Sequence, residues 1–111
     1  RMDLVGSVDG CDVIIVDDMV DTAGTLCKAA GIIKEQGARR VFAFASHGVF
    51  SGPAAERISN SALTELVVLD TIPLNENAIA TGKITQLSVG PLLAQAIYNL
   101  HNKKSISALF K

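Results

Sequence analysis

Residues 13–25 constrain the fold of this chain more than any other stretch. They read VIIVDDMVDTAGT, in which four consecutive apolar residues lead into three aspartates and a short turn sequence. An uninterrupted apolar run is typical of a parallel strand that helices cover on both faces. Because ligands bind outside the carboxyl ends of such strands, this run predicts a buried strand that leads into a binding site.

The turn after the aspartates has the composition of an anion-binding loop. Thr22, Gly24 and Thr25 precede a helical pattern that begins near Leu26. They combine hydroxyl groups, a glycine that lets a ligand approach the backbone, and the unpaired N–H groups of a helix start. We therefore expect this loop to bind a phosphate group.

The carboxylates beside the loop indicate what the phosphate is attached to. Asp17, Asp18 and Asp21 only accept hydrogen bonds when ionised, so they require sugar hydroxyls or Mg²⁺ beside them. Together with the loop they predict a ribose 5-phosphate site. For an isolated pair of aspartates the alternative is solvated strand-end residues, with Asp21 as a helix cap.

Composition limits the class of protein. A chain of 111 residues with 49% hydrophobic residues forms one domain with a core of its own. The net charge of −1, from scattered basic and acidic residues, argues against binding to nucleic acid or to a membrane surface. No apolar run approaches transmembrane length. Cys11 and Cys27 lack CxxC spacing, which predicts reduced thiols in a cytoplasmic protein.

Strand patterns and helix patterns alternate along the rest of the chain, which predicts an α/β fold, a parallel sheet flanked by helices. A helix is expected from Leu26 to the stop at Gly37, and further strands at residues 41–45, 66–70 and 83–89. A right-handed crossover should join the first two strands.

Three further features follow the second strand. Ser51 is expected to cap a short helix over residues 52–60, and His47 is more often a structural hydrogen-bonding residue than an acid or base at such a position. The last helix, capped by Ser88, should turn an apolar stripe toward the core. The stripe consists of Leu93, Ala96, Ile97 and Leu100.

Four segments together resemble the ribose-phosphate pyrophosphokinases, also called phosphoribosyl pyrophosphate (PRPP) synthetases. VIIVDDMVDTAGT is similar to their PRPP-binding motif. SHGVFSGPA at 46–54, DTIP at 70–73 and HNKKSISALF at 101–110 match at the expected spacing, so the resemblance covers essentially the whole chain. It implies that residues 1–111 are a single C-terminal phosphoribosyl-binding domain. That domain would be type I phosphoribosyltransferase-like, the second half of a two-domain protein whose N-terminal domain is absent from this chain.

The resemblance also implies an activity. Such enzymes transfer pyrophosphate from ATP to ribose 5-phosphate, giving PRPP and AMP for nucleotide biosynthesis. They use Mg²⁺ with ATP, respond to phosphate or ADP, and assemble as homo-oligomers, dimers or hexamers. The catalytic and metal-binding residues would lie upstream of Arg1, so neither kind is expected in this chain.

The resemblance also implies which residues bind the ligands, because each lies at the matching position of a family motif. Asp17 and Asp18 would hold ribose hydroxyls, and Ser105 and Ser107 would help to bind a regulatory phosphate or ADP. The 5-phosphate loop would consist of Asp21, Thr22, Ala23, Gly24 and Thr25.

Two other functions stay open. Type I phosphoribosyltransferases, which use PRPP, carry a similar motif but no segment like SHGVFSGPA. Non-catalytic PRPP synthetase-associated proteins are regulatory partners with a degraded TAGT loop, whereas the loop is intact here.

Overall fold

Strands and helices alternate along the part of the chain that the structure, a computed structural model, describes, residues 6–102. The strands are β1 (Asp12–Val20), β2 (Arg40–Gly48), β3 (Glu65–Leu69) and β4 (Ile84–Leu87). The helices are α1 (Gly24–Glu35), α2 (Ala54–Ser59), α3 (Glu76–Ala80) and α4 (Gly90–His101). Within these residues no helix is long and apolar enough to cross a membrane.

The four strands form one parallel sheet in the order β1-β2-β3-β4. Ile15 pairs with Ala43, which pairs with Leu66, which in turn pairs with Ile84. The predicted α/β class with a parallel sheet is confirmed. Because the strands are parallel, their carboxyl ends lie at one edge, and the loops that follow β1, β2 and β3 meet there.

The core lies on one face of this sheet. Alternate residues of β2 and β3 are buried, with Val41, Leu66 and Val68 fully enclosed. Helix α1 contributes Leu26 and Ala30 to the same cluster, and α2 contributes Ala54 and Ile58. Successive side chains of a strand point to opposite faces, so this alternation places the helices on a single side.

The opposite face of β1 is open among the described residues. Ile14 is 66% exposed and Val16 is 74% exposed, so the prediction that helices cover this strand on both faces is wrong for residues 6–102. Crossovers between parallel strands are almost always right-handed. In the order β1-β2-β3-β4 each of the three crossovers leads to the next strand in the same direction, so all three place their helices on the same face of the sheet. The second face is left without a helix from this segment.

Helix α4 likewise does not present its apolar stripe to the core. Leu93, Ile97 and Leu100 are between 54% and 67% exposed, and Asn99 is the buried residue of this helix. Ser88 bonds to the start of the helix as predicted, since its hydroxyl accepts a 3.0 Å hydrogen bond from the Gly90 N–H, although Val89 is the residue directly before the helix. Helical spacing reveals an apolar face, but not which surface covers it.

An ion-pair cluster joins β1 to β2 at the amino ends of the strands. Arg40 and Arg39 both donate to the Asp12 carboxylate, with 2.9 Å between Arg39 Nη2 and Asp12 Oδ2. These bonds, first from Arg40 and then from Arg39, hold the pKa of Asp12 well below its usual range. The cluster lies at the edge of the sheet opposite to the carboxyl ends.

Candidate functional site

An open cavity of about 320 Å³ lies at the carboxyl end of β1, and residues 17–26 line it. The structure therefore brings the seven predicted sugar-phosphate residues around one cavity. Strand β1 continues to Val20, so the first two aspartates lie inside the strand rather than beyond its end. Helix α1 begins at Gly24, within the predicted loop.

Asp17 and Asp18 are exposed, but they do not converge on one point. As consecutive strand residues they leave the sheet on opposite faces. The Asp17 carboxylate turns along the backbone and accepts a 2.7 Å hydrogen bond from the Asp18 N–H. Among the described residues, no group of three or more histidine, cysteine or acidic side chains is arranged to hold a metal ion. The two carboxylates are thus placed for separate hydrogen bonds, not for chelation.

Asp21 is held by the segment that follows β2. The Ser51 hydroxyl donates to the Asp21 carboxylate, and the Ser51 N–H donates to the Asp21 carbonyl at 3.0 Å. The predicted capping role of Ser51 is therefore wrong, because α2 begins at Ala54 with Pro53 as its N-cap. The two hydrogen bonds between Ser51 and Asp21 fix the start of the loop. They also engage the Asp21 carboxylate, which was predicted to face the ligand.

The centre of the loop adopts a backbone conformation that few residues other than glycine accept. Ala23 has φ of 66°, is 5% exposed, and serves as the N-cap of α1 without a side-chain hydrogen bond. Left-handed backbone at a residue with a Cβ costs about 1–2 kcal/mol. Thr22 and Thr25 flank the turn on the exposed side.

Among residues 6–102, the first N–H groups of helix α1 have no hydrogen-bond partner. Its first intrahelical bond runs from the Cys27 N–H to the Ala23 carbonyl at 3.0 Å, and its first turn contains no acidic residue. The N–H groups of the residues before Cys27 are consequently available to an anion in the cavity.

A second left-handed residue supports the loop from behind. Phe50 has φ of 54° and is buried, and its N–H and that of Val49 both donate to the Val20 carbonyl, at 3.2 and 2.9 Å. Its ring covers Gly48, where an added Cβ would lie 2.4 Å from a ring carbon. The turn after β2 is thus a packed support for the loop after β1.

Arg57 contacts the loop, although no motif or spacing in the sequence marks it. Its Nη1 donates to the Thr22 carbonyl at 3.2 Å. The same atom lies 3.0 Å from the point where a Cβ on Gly24 would stand. Nearby, burial raises the pKa of the Cys27 thiol, which therefore stays neutral and adds no negative charge.

His47 has a structural hydrogen bond at the end of β2. Its Nδ1 lies 2.7 Å from Thr71 Oγ1, and that hydroxyl donates to the Ser46 carbonyl at 3.3 Å. The hydroxyl proton is then committed to Ser46, so the histidine proton belongs on Nδ1. The bond ties the end of β2 to the segment after β3.

Ser105 and Ser107, predicted to bind a regulatory phosphate, lie outside the described residues.

Similarity to known proteins extends over the whole chain. A family model described as the phosphoribosyl synthetase-associated domain matches residues 1–111. The ribose-phosphate pyrophosphokinases of Vibrio cholerae and Bordetella pertussis are 56% and 57% identical to it over 109 residues, which is 98% of this chain and 35% of each relative. That of Haemophilus influenzae is 53% identical over the same share.

A solved structure has the same fold. The crystal structure of phosphoribosylpyrophosphate synthetase from Mycobacterium smegmatis matches with a TM-score of 0.83 and 38% sequence identity, over 89% of this chain and 33% of that chain. This chain therefore spans about a third of the length of the relatives that it matches.

Proposed function

Because this chain belongs to the family of the phosphoribosyl synthetase-associated domain, we propose that it is the sugar-phosphate-binding part of a ribose-phosphate pyrophosphokinase. One observation carries the proposal. The start of α1, which has no side-chain cap among the described residues, lines a cavity that exposed aspartates also line, and this combination suits a phosphorylated sugar. The names of the relatives agree with this chemistry.

The proposed reaction joins ribose 5-phosphate to the terminal pyrophosphoryl group of ATP. The oxygen of the sugar 1-hydroxyl forms a bond with the β-phosphorus and loses its proton. The bond from that phosphorus to the oxygen bridging the α-phosphorus breaks, and AMP leaves. Such transfers depend mainly on positioning and on charge stabilisation. The role of this chain is to hold the sugar so that its 1-hydroxyl stands toward ATP.

Each predicted residue receives a place in this proposal. The N–H groups of Gly24 and Thr25, with the hydroxyls of Thr22 and Thr25, bind the 5-phosphate. Asp18 binds ribose hydroxyls, with Asp17 beside it.

The other members of the loop act through its shape. Ala23 forms the turn that exposes the N–H groups, and Asp21, bound to Ser51, anchors the loop and does not contact the phosphate directly.

Mg²⁺ is expected to reach the site bound to ATP. The described residues do not fit a resident metal ion, because Asp17 and Asp18 diverge and no third ligand joins them. Mg²⁺ in phosphoryl-transfer sites is bound chiefly by substrate phosphates, one or two carboxylates and water. No step is assigned to a metal held by this chain.

The wider arrangement of the protein stays a prediction. It includes the single domain over residues 1–111, the C-terminal position in a two-domain, type I phosphoribosyltransferase-like protein, and catalytic residues upstream. It also includes the homo-oligomer, the cytoplasmic location, and the regulatory phosphate or ADP site at Ser105 and Ser107.

The function is tested by supplying ATP, Mg²⁺ and ribose 5-phosphate to the complete polypeptide and measuring AMP and PRPP together. Equal amounts of both products are expected. Consumption of PRPP with a nucleobase would identify a phosphoribosyltransferase instead. Binding of the sugar phosphate without turnover would indicate a regulatory, non-catalytic relative.

Replacing Asp18 with alanine should weaken binding of ribose 5-phosphate to the complete polypeptide. Loss of a hydrogen bond to a carboxylate costs about 1–3 kcal/mol, or roughly 5- to 150-fold in the dissociation constant. Calorimetric titration measures the change. Glu35→Ala is the matched control, since it removes an exposed carboxylate at the far end of α1. Equal affinities in the two variants would remove Asp18 from the site.

A further inference from the structure

The sugar-phosphate loop separates two concave surfaces. On one side lies the cavity at the end of β1, and on the other lies a groove of about 730 Å³ between α1 and α2. Gly24 lines both of them, and Arg57 lines the groove. We propose that Arg57 is a positioning residue, which holds the loop from the groove side in the conformation that binds the sugar phosphate. This inference rests on the proposed function.

Arg57 fixes the orientation of the peptide group between Thr22 and Ala23. Arg57 Nη1 binds the Thr22 carbonyl at 3.2 Å, so this carbonyl points toward α2. No cis peptide bond occurs in the described residues, and in a trans peptide the C=O and N–H groups point in opposite directions. The Ala23 N–H is therefore directed away from α2. Without Arg57, rotation of this peptide would turn a carbonyl oxygen toward the bound phosphate, where it would repel the anion.

Arg57 also places a positive charge beside the loop. The guanidinium carries a permanent positive charge and lies 3.0 Å from the position of a Cβ on Gly24, at the first residue of α1. Asp21, the acidic residue of the loop, is bound to Ser51. Arg57 is exposed, so its field is screened over about 8–10 Å at physiological salt and acts mainly on the loop beside it.

The backbone of Arg57 is anchored by its neighbours in α2. Ala54 and Ile58 of α2 are fully buried in the core, and Ile58 is the next residue along the chain. The backbone of Arg57 is consequently fixed relative to β2, whose carboxyl end supports the loop through Phe50. Arg57 thus has a fixed backbone on α2 and, within residues 6–102, one side-chain hydrogen bond to the loop, which is the arrangement of a positioning contact.

The test compares Arg57→Gln with the unchanged complete polypeptide and with Arg39→Gln. The control removes the same charge by the same substitution at the opposite edge of the sheet, where Arg39 binds Asp12. We expect R57Q to raise both the dissociation constant and the KM for ribose 5-phosphate roughly five- to twentyfold. The KM for ATP should stay within about twofold and kcat within about threefold, because the lost contact acts on sugar-phosphate binding. R57K, which keeps the charge, should recover at least half of the loss in binding free energy.

Several results would overturn the inference. Binding in R57Q that equals binding in R39Q would show that the contact has no role. A parallel change in both KM values, or a collapse of the melting temperature of R57Q but not of R39Q, would make Arg57 a folding residue. An R57K variant as impaired as R57Q would exclude a role for the charge. Inactivity of the unchanged protein toward ATP and ribose 5-phosphate would instead refute the proposed function itself, which keeps the two failures distinct.

Discussion

Replacing Gly24 with valine is expected to abolish binding of ribose 5-phosphate, raising the dissociation constant at least about 100-fold. The backbone of Gly24 forms part of the cavity wall, and a Cβ there would already lie 3.0 Å from Arg57 Nη1. The two γ-methyl groups of valine would extend into the space of the Arg57 guanidinium, so that the arginine or the loop must move and the N–H groups at the start of α1 lose their position. Loss of two hydrogen bonds to a charged phosphate, at about 1.5–3 kcal/mol each, accounts for an effect of this size.

The matched control for this experiment is Gly31→Val in the same helix. Gly31 has no heavy atom within 4 Å of an added Cβ, and it lies almost two turns from the loop. Its replacement should leave the affinity within about twofold, because only helix propensity changes. Calorimetric titration of both variants in the complete polypeptide decides the matter. A G24V protein that binds as tightly as G31V would show that the phosphate does not approach this backbone.

The 111 residues by themselves are expected not to form PRPP. Transfer of a pyrophosphoryl group requires neutralisation of the triphosphate charge and alignment of two substrates. Arg57 is the basic side chain that the structure shows in contact with the loop, and its guanidinium is bound to a backbone carbonyl. One such group does not orient a triphosphate. The chain also spans only about a third of the length of its relatives.

This expectation is checked with the purified chain, ATP, Mg²⁺ and ribose 5-phosphate, by measuring AMP against a blank without the sugar. The complete polypeptide, assayed at the same molar concentration, is the positive control. Its activity excludes a fault in the substrates. Sugar-dependent AMP from the isolated chain, in amounts equal to PRPP, would contradict the prediction and place the catalytic groups within residues 1–111.

The sequence by itself determined the kind of fold and the place of the candidate site. The apolar run Val13–Val16 and the strands at 41–45 and 66–70 are local patterns, and the structure has strands at each of them. The TAGT turn before a helical pattern is also local, since its hydroxyls, glycine and helix start are contiguous. Such signals are visible without the tertiary structure because strand and helix periodicities arise from neighbouring residues.

The tertiary structure alone decided which surfaces are covered. Ile14 and Val16 belong to an apolar run that indicated burial on both faces, yet they are exposed in the described part of the chain, as is Ile97 in α4. Apolar composition shows that a residue favours burial, but the strand order and the direction of the crossovers determine which face the helices reach.

The contacts that shape the loop were likewise decided by the tertiary structure. Ser51 and Asp21 are 30 residues apart, and Arg57 and Thr22 are 35 apart. No local pattern links such positions. They meet because parallel pairing of β1 with β2 brings the two strand ends to one edge of the sheet, where the segment after β2 packs behind the loop after β1.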